Sequence, residues 1–178
     1  MLVYVDGLNT VKRTNFLAKT AEVRHWNRTL GTILPWPKMK EFLLTGNLGD
    51  IGVGMPIADA LSLLGRPERT GKGLRGWTIE SYAGGCFQLG HYEGVLGLIG
   101  IYFASERIEP PELPRATKCV VPFSASTSVE QFKAYLDANQ IPWMPDLRLE
   151  DATDLKVCTS VYASFDDDRL CSLLVSSK

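Results

Sequence analysis

The sequence predicts an α+β protein: two tandem helix-plus-antiparallel-sheet units forming one bent antiparallel sheet, with helices on one face. Three observations predict it. Two short segments carry apolar residues at helical spacing, and each is followed by strand-like runs. Those runs are joined by tight-turn residues, and hairpins make neighbouring strands antiparallel. The last observation is an internal period of about 72 to 74 residues that brings the two halves into line. A chain of 178 residues suits one domain or two small fused halves.

In chain order, Leu2 to Val5 is a short β-like run closed by the turn dipeptide Asp6-Gly7. Asn15 to Leu30 reads as a helix, with Gly31 as its stop. Pro35-Trp36-Pro37 forces extended backbone, and Lys38 to Leu44 reads as helical turns or the lead into a strand. Ile57, Ala60, Leu61 and Leu64 follow the i, i+3, i+4, i+7 template, with Pro56 at the start and Gly65 past the end. Thr70 to Gly76 reads as a basic loop, and Trp77 to Tyr82 as a strand. Cys86 to Leu89 and Val95 to Phe103 follow as strands, turned by Gly84-Gly85 and Tyr92-Glu93-Gly94.

Glu109 to Pro114 holds three prolines and joins neither ladder nor helix. Lys118 to Pro122 reads as a short strand. Ser128 and Gln131 have the capping-box spacing ahead of a helix carrying Val129, Phe132, Tyr135 and Leu136. Ile141 to Leu149 is broken β structure, Leu155 to Phe165 a long strand, and Leu170 to Val175 the strand that closes the sheet. The segments are therefore 1–44, an N-terminal strand and helical region; 45–108, a first α+β repeat; 109–116, a Pro-rich connector; and 117–178, a second repeat. Ile57, Ala60 and Leu64 match Val129, Phe132 and Leu136, and Tyr92 to Leu96 matches Asp166 to Leu170.

Composition narrows the function classes. Apolar residues are 45% and charged residues 22%, which argues against disorder. Nineteen basic against twenty acidic residues give a net charge of -1, so no global basic field invites nucleic acid. No apolar run reaches membrane-span length, and the N-terminus lacks a signal-peptide pattern, so a cytoplasmic location is expected. Cys86, Cys119, Cys158 and Cys171 form no C-x-x-C pair, and His25 and His91 lie near no cysteine pair, so no metal is expected. Val3 to Asn9 resembles the first strand of NYN/PIN-type metal-dependent nucleases, but no second acidic strand end appears before Asp50. Gly71 to Gly76 lacks the strand-before, helix-after setting of a P-loop, and no nucleophile motif accompanies His91. No cofactor and no catalytic constellation is expected.

Ile51-Gly52-Val53-Gly54-Met55-Pro56, Ala60-Leu61 and Leu64-Gly65-Arg66-Pro67 carry a resemblance. The string is similar to the entry of the beta-lactamase inhibitor protein and small outer-membrane-assembly lipoprotein superfamily. Thr45 through Phe103 also resembles cytoplasmic immunity-type proteins of bacterial toxin systems. The resemblance implies a Gly-Met turn and helix before a curved antiparallel sheet. The inhibitors carry two such units in tandem; here Ser126-Thr127 stands where the second Gly-Met would be.

The expected function is thus non-enzymatic protein binding, with a cognate toxin or enzyme as partner and neither nucleic acid nor membrane. The candidate contact residues are Tyr82, Tyr92, Glu93, Asp166, Asp167 and Asp168, a set of aromatic anchors and an acidic tip that would plug a basic cleft. Equivalent places in the two halves predict that the two hairpin tips project from related sheet edges. The alternative is a small-ligand site or enzyme with a pocket between the halves, near His91 and Arg75.

Overall fold

Among the described residues, eight antiparallel strands form one continuous sheet. They are β1 (Arg69–Lys72), β2 (Thr78–Tyr82), β3 (Phe87–Tyr92), β4 (Val95–Tyr102), β5 (Trp143–Pro145), β6 (Leu155–Val157), β7 (Val161–Asp166) and β8 (Arg169–Ser176). Their order is β1-β2-β3-β4-β8-β7-β6-β5. This computed structural model describes residues 37–103, 109–114, 117, 119–146, 154–158 and 160–177. The expected strand at Leu2 to Val5 and helix at Asn15 to Leu30 lie outside the described residues.

Each helix exists for a local reason. In α1 (Pro37–Thr45), Met39, Phe42 and Leu43 form one fully buried stripe. In α2 (Ile57–Leu64), Pro56 is the N-cap and Gly65, at φ 80°, closes the last turn by donating its N–H to Leu61 O at 2.8 Å. The expected capping box opens α3 (Val129–Ala138): Gln131 N–H donates to Ser128 Oγ at 3.2 Å, and Ser128 N–H to Gln131 Oε1 at 2.9 Å.

The three helices among the described residues pack on one face of the sheet. Gly46, just past α1, abuts Val175 of β8; Tyr82 of β2 bonds the end of α2; Phe132 of α3 meets Phe165 of β7 at 5.7 Å between ring centroids. Leu89, Leu96, Ile99, Ile101, Leu170 and Leu173 complete this inner face at zero exposure. Each such side chain contributes about 1.5–3 kcal/mol through burial.

The two ends of the sheet are built alike. The β3–β4 turn places Glu93 at φ 50° and Gly94 at φ 79°, and the β7–β8 turn places Asp167 at φ 46° and Asp168 at φ 61°, the left-handed pairs that match hairpin twist. Register shifts fall between Gly90 and His91 and between Ser164 and Phe165. Leu96 N–H donates to Met55 O at 2.9 Å, and Leu170 N–H to Thr127 O at 3.0 Å.

Four expectations are corrected. Arg69 to Lys72 is an edge strand rather than loop; all four residues are exposed, so no apolar alternation announced it. Leu155 to Phe165 is two strands, because Cys158, at φ 51°, reverses the chain into a hairpin. Cys119 to Pro122 is not a strand, although Cys119, Val121 and Phe123 are buried and Val120 is exposed in strand-like alternation. Helix α1 runs to Thr45, past the expected boundary at 44.

Candidate binding surface

The face turned away from the helices is apolar in its own right. Register puts Trp77, Ile79, Leu98, Tyr102 and Leu174 on it. Strand glycines let these side chains lie flat. A Cβ at Gly97 would fall 2.5 Å from Trp77 Cη2, one at Gly100 2.6 Å from Tyr102 Cε2, and one at Gly90 3.1 Å from Leu98 Cβ. No described element packs against this face.

At one end of it the β1–β2 loop and the β3–β4 hairpin come together. Trp77 and Tyr92 lie 6.4 Å apart between ring centroids, and a Cβ at Gly76 would sit 3.1 Å from Tyr92 Cε2. Beside them, Leu74 is 88% exposed, Val95 49% and Tyr92 45%. Large apolar groups held this far out of the core on braced hairpins form a surface fit for a partner. Tyr92 and Glu93 belong to this tip. Leu74, Trp77 and Val95 were not among the expected contact residues; an apolar residue inside a Gly-Lys-Gly-Leu-Arg-Gly loop is the sequence signal that points to Leu74.

The other expected contacts lie elsewhere. Tyr82 is 4% exposed, on the inner face, and its hydroxyl donates to Gly65 O at 3.2 Å. A side chain packed there cannot anchor a partner without unpacking α2, so it leaves the contact set. Its phenol is pushed up to about 12, by burial first and by the Glu80 charge second. Asp166, Asp167 and Asp168 are exposed at the β7–β8 tip. Because β4 and β8 are antiparallel, pairing Leu98 with Ser176 and Tyr102 with Ser172, this tip lies at the opposite end of the sheet from Tyr92. The strand length between them is roughly 30 Å. The two tips therefore do not form one plug. Asp168 is also structural: its Oδ1 accepts from Val129 N–H at 3.1 Å, capping α3.

His91 points inward, where its Nε2 lies 3.3 Å from Glu80 Oε1. Thr70 Oγ1 donates to Glu80 Oε2 at 2.5 Å, and Lys72 Nζ to Thr78 Oγ1 at 3.0 Å. Glu80 is 6% exposed. The two sets of four strands meet at the β4–β8 ladder, and His91, on β3, is not at that seam. Burial raises the Cys171 thiol above its ordinary range, with the Asp166 charge adding to it, and burial alone raises Cys158. Among the described residues no group of three or more His, Cys, Asp or Glu is placed to hold a metal ion, and no helix is long and apolar enough to cross a membrane.

No family model matches the chain, and no curated protein matches it. Among solved structures it is similar to an extracellular protein containing a SCP domain from Bacillus anthracis, at 12% identity and a TM-score of 0.40. That likeness covers 71% of this chain, which spans 44% of the other's length. A likeness this distant carries no functional argument.

Proposed function

We propose that the chain is a non-enzymatic protein-binding module of the immunity or inhibitor type, which neutralises a bacterial toxin or enzyme in the cytoplasm by covering its site. One observation carries the reading: Leu74, at 88% exposure, stands with Tyr92, Val95 and Trp77 at the joint end of two hairpins. Aromatic anchors on braced strands lose little entropy when a partner covers them. The apolar outer face extends that surface across the sheet.

The same reading takes the sheet as two tandem units. Its support is the paired register shifts, the paired left-handed turns, and the matching bonds from Leu96 to Met55 and from Leu170 to Thr127. Co-expression with the product of the neighbouring reading frame, followed by calorimetry on any complex, tests the function. A stable complex weakened at least about tenfold by Trp77→Ala with Tyr92→Ala is the supporting result. A complex indifferent to both changes would sink the assignment of the surface, and absence of any stable partner would sink the function.

A further inference from the structure

We infer that the sheet edge at β1 is a docking site for an extended protein strand, which pairs antiparallel with the backbone of Thr70 and Lys72 and lays an apolar side chain over Gly71. This surface is separate from the Leu74–Tyr92 tip, and it does not depend on the function proposed above.

β1 stands at the end of the strand order, and all four of its residues are exposed. Gly73 N–H donates to Trp77 O at 2.8 Å, and the register sets Gly71 opposite Ile79 and Arg69 opposite Ser81. Antiparallel strands bond at every second residue, so Arg69, Gly71 and Gly73 turn their backbone groups to β2. The N–H and C=O of Thr70 and of Lys72 therefore point out from the edge, in a row fit for another strand.

The opposite edge is blocked. Cys158 N–H donates to Pro142 O and Asp146 N–H to Asp154 O, both at 2.8 Å, so Trp143 and Pro145 are the outward residues of β5. Pro145 has no N–H to offer. Charged side chains guard many edges, but here Lys72 is drawn back over the sheet, its Nζ donating to Thr78 Oγ1 at 3.0 Å. Thr70 Oγ1 is turned to Glu80.

The side-chain requirement comes from the outer face. A Cβ at Gly71 would meet nothing within 4 Å. Ile79, its neighbour on β2, reaches toward this edge: its Cγ1 lies 3.6 Å from where a Cβ at Gly73 would stand. Antiparallel pairing matches the rest of the sheet and is the stronger per residue. It makes Gly71 the close, non-bonded position, where an apolar side chain on the added strand can fold over the glycine onto Ile79. A second copy of this chain does not fit, because its own edge reads Arg-Thr-Gly-Lys and brings no apolar side chain to the gap.

The probe is a nine-residue peptide of alternating serine and threonine with phenylalanine at its centre, flanked by two threonines. It is titrated into the full chain to about 1 mM and followed by the Thr70 and Lys72 amide resonances. Both should shift. N-methylation of the two flanking threonines should weaken binding at least about tenfold, whereas N-methylation of the phenylalanine, whose N–H faces solvent, should change it less than about threefold. Replacing the phenylalanine by serine should weaken binding in the wild type and matter less in Gly71→Val, which fills the gap; Gly71 is not held at positive φ. Lys72→Pro should abolish binding and Lys72→Ala, which keeps the N–H, should retain it, with circular dichroism checking the fold. No peptide binding, or equal losses from the two methylation patterns, overturns the inference. So does binding lost in Leu74→Ala with Tyr92→Ala but kept in Lys72→Pro, which would place the peptide on the tip. Self-association of the wild type in sedimentation that Lys72→Pro abolishes would make a second copy the occupant, and overturns it too.

Discussion

Two places in the sheet share a register and are filled in opposite ways. Thr70, Glu80, Leu89 and Ile99 line up across β1 to β4; Pro145, Leu155, Ala163 and Leu173 line up across β5 to β8. His91, opposite Leu96, corresponds to Phe165, opposite Leu170. One region thus buries a carboxylate held by a hydroxyl and an imidazole. The other buries a leucine and a phenylalanine, the latter joined to Phe132 and, through it, to Phe123 at 4.9 Å. The backbone accepts an apolar filling, so the fold does not require the polar one. What the polar group does supply is attachment: β1 is exposed throughout, and Thr70→Glu80 and Lys72→Thr78 are side-chain bonds that fasten it to β2.

The largest expected effect breaks the apolar region. Phe165→Ala should lower stability by about 3–5 kcal/mol in urea titration, since an aromatic is removed from a packed cluster that cannot fully collapse. A loss below about 1 kcal/mol would mean the ring is not part of the core.

The next breaks the polar region and then converts it. Glu80→Leu alone should cost about 2–3 kcal/mol, because His91 and Thr70 lose their common acceptor. Glu80→Leu with His91→Phe installs the other region's residues and should recover most of that loss, or exceed wild type. If the double variant is as unstable as the sum of the single ones, the two regions are not interchangeable and the register match is superficial.

The contrast explains what the sequence discloses and what it hides. Helix α2 was legible to the residue, because its apolar spacing and its Pro56 and Gly65 boundaries are local signals, and so was the Ser128–Gln131 box. Strand β1 was not legible, since its ladder partner is chosen by Glu80 and Thr78 rather than by apolar alternation. The facing of β2 was hidden for a related reason. Ile79, with Trp77 just before the strand, turns away from the helices, while Thr78, Glu80 and Tyr82 turn in. The proposed contact tip was half legible: Tyr92 and Glu93 sit on it, but the acidic turn was placed with them only because sequence equivalence does not reveal that β4 and β8 run in opposite directions.

The helix-to-hairpin junctions differ by a smaller amount. Ile57 N–H donates to the backbone Gly94 O at 2.8 Å, whereas Val129 N–H donates to the Asp168 side chain. Asp168→Ala should therefore cost about 1–2 kcal/mol, combining a lost helix-end acceptor with an alanine held at φ 61°. Asp168→Gly removes the backbone part of that cost and should fall between alanine and wild type. Asp166→Ala should stay within about 0.5 kcal/mol. Equal losses for Asp166→Ala and Asp168→Ala would show that the cap does not form.

The smallest effect concerns a tie that only one region has. Tyr82 pairs with Phe87, and the matching residue, Val157 opposite Val161, has no hydroxyl to reach a helix end. Tyr82→Phe removes the bond to Gly65 O and should cost about 1 kcal/mol near neutral pH. The pH dependence sharpens the assignment. The folded protein holds the phenol neutral up to about 12, against an ordinary value of 10.0, so the folded state binds this proton more tightly than the unfolded chain does. That contribution is fully present below pH 10 and is lost as pH rises through about 12. Urea midpoints of wild type and Tyr82→Phe, taken at steps from pH ~8 to ~11.5, should draw together and then cross toward the alkaline end, because the variant has no phenol to ionise. Curves that run parallel across the whole range would show that Tyr82 ionises as freely folded as unfolded, and that the tie to α2 contributes nothing.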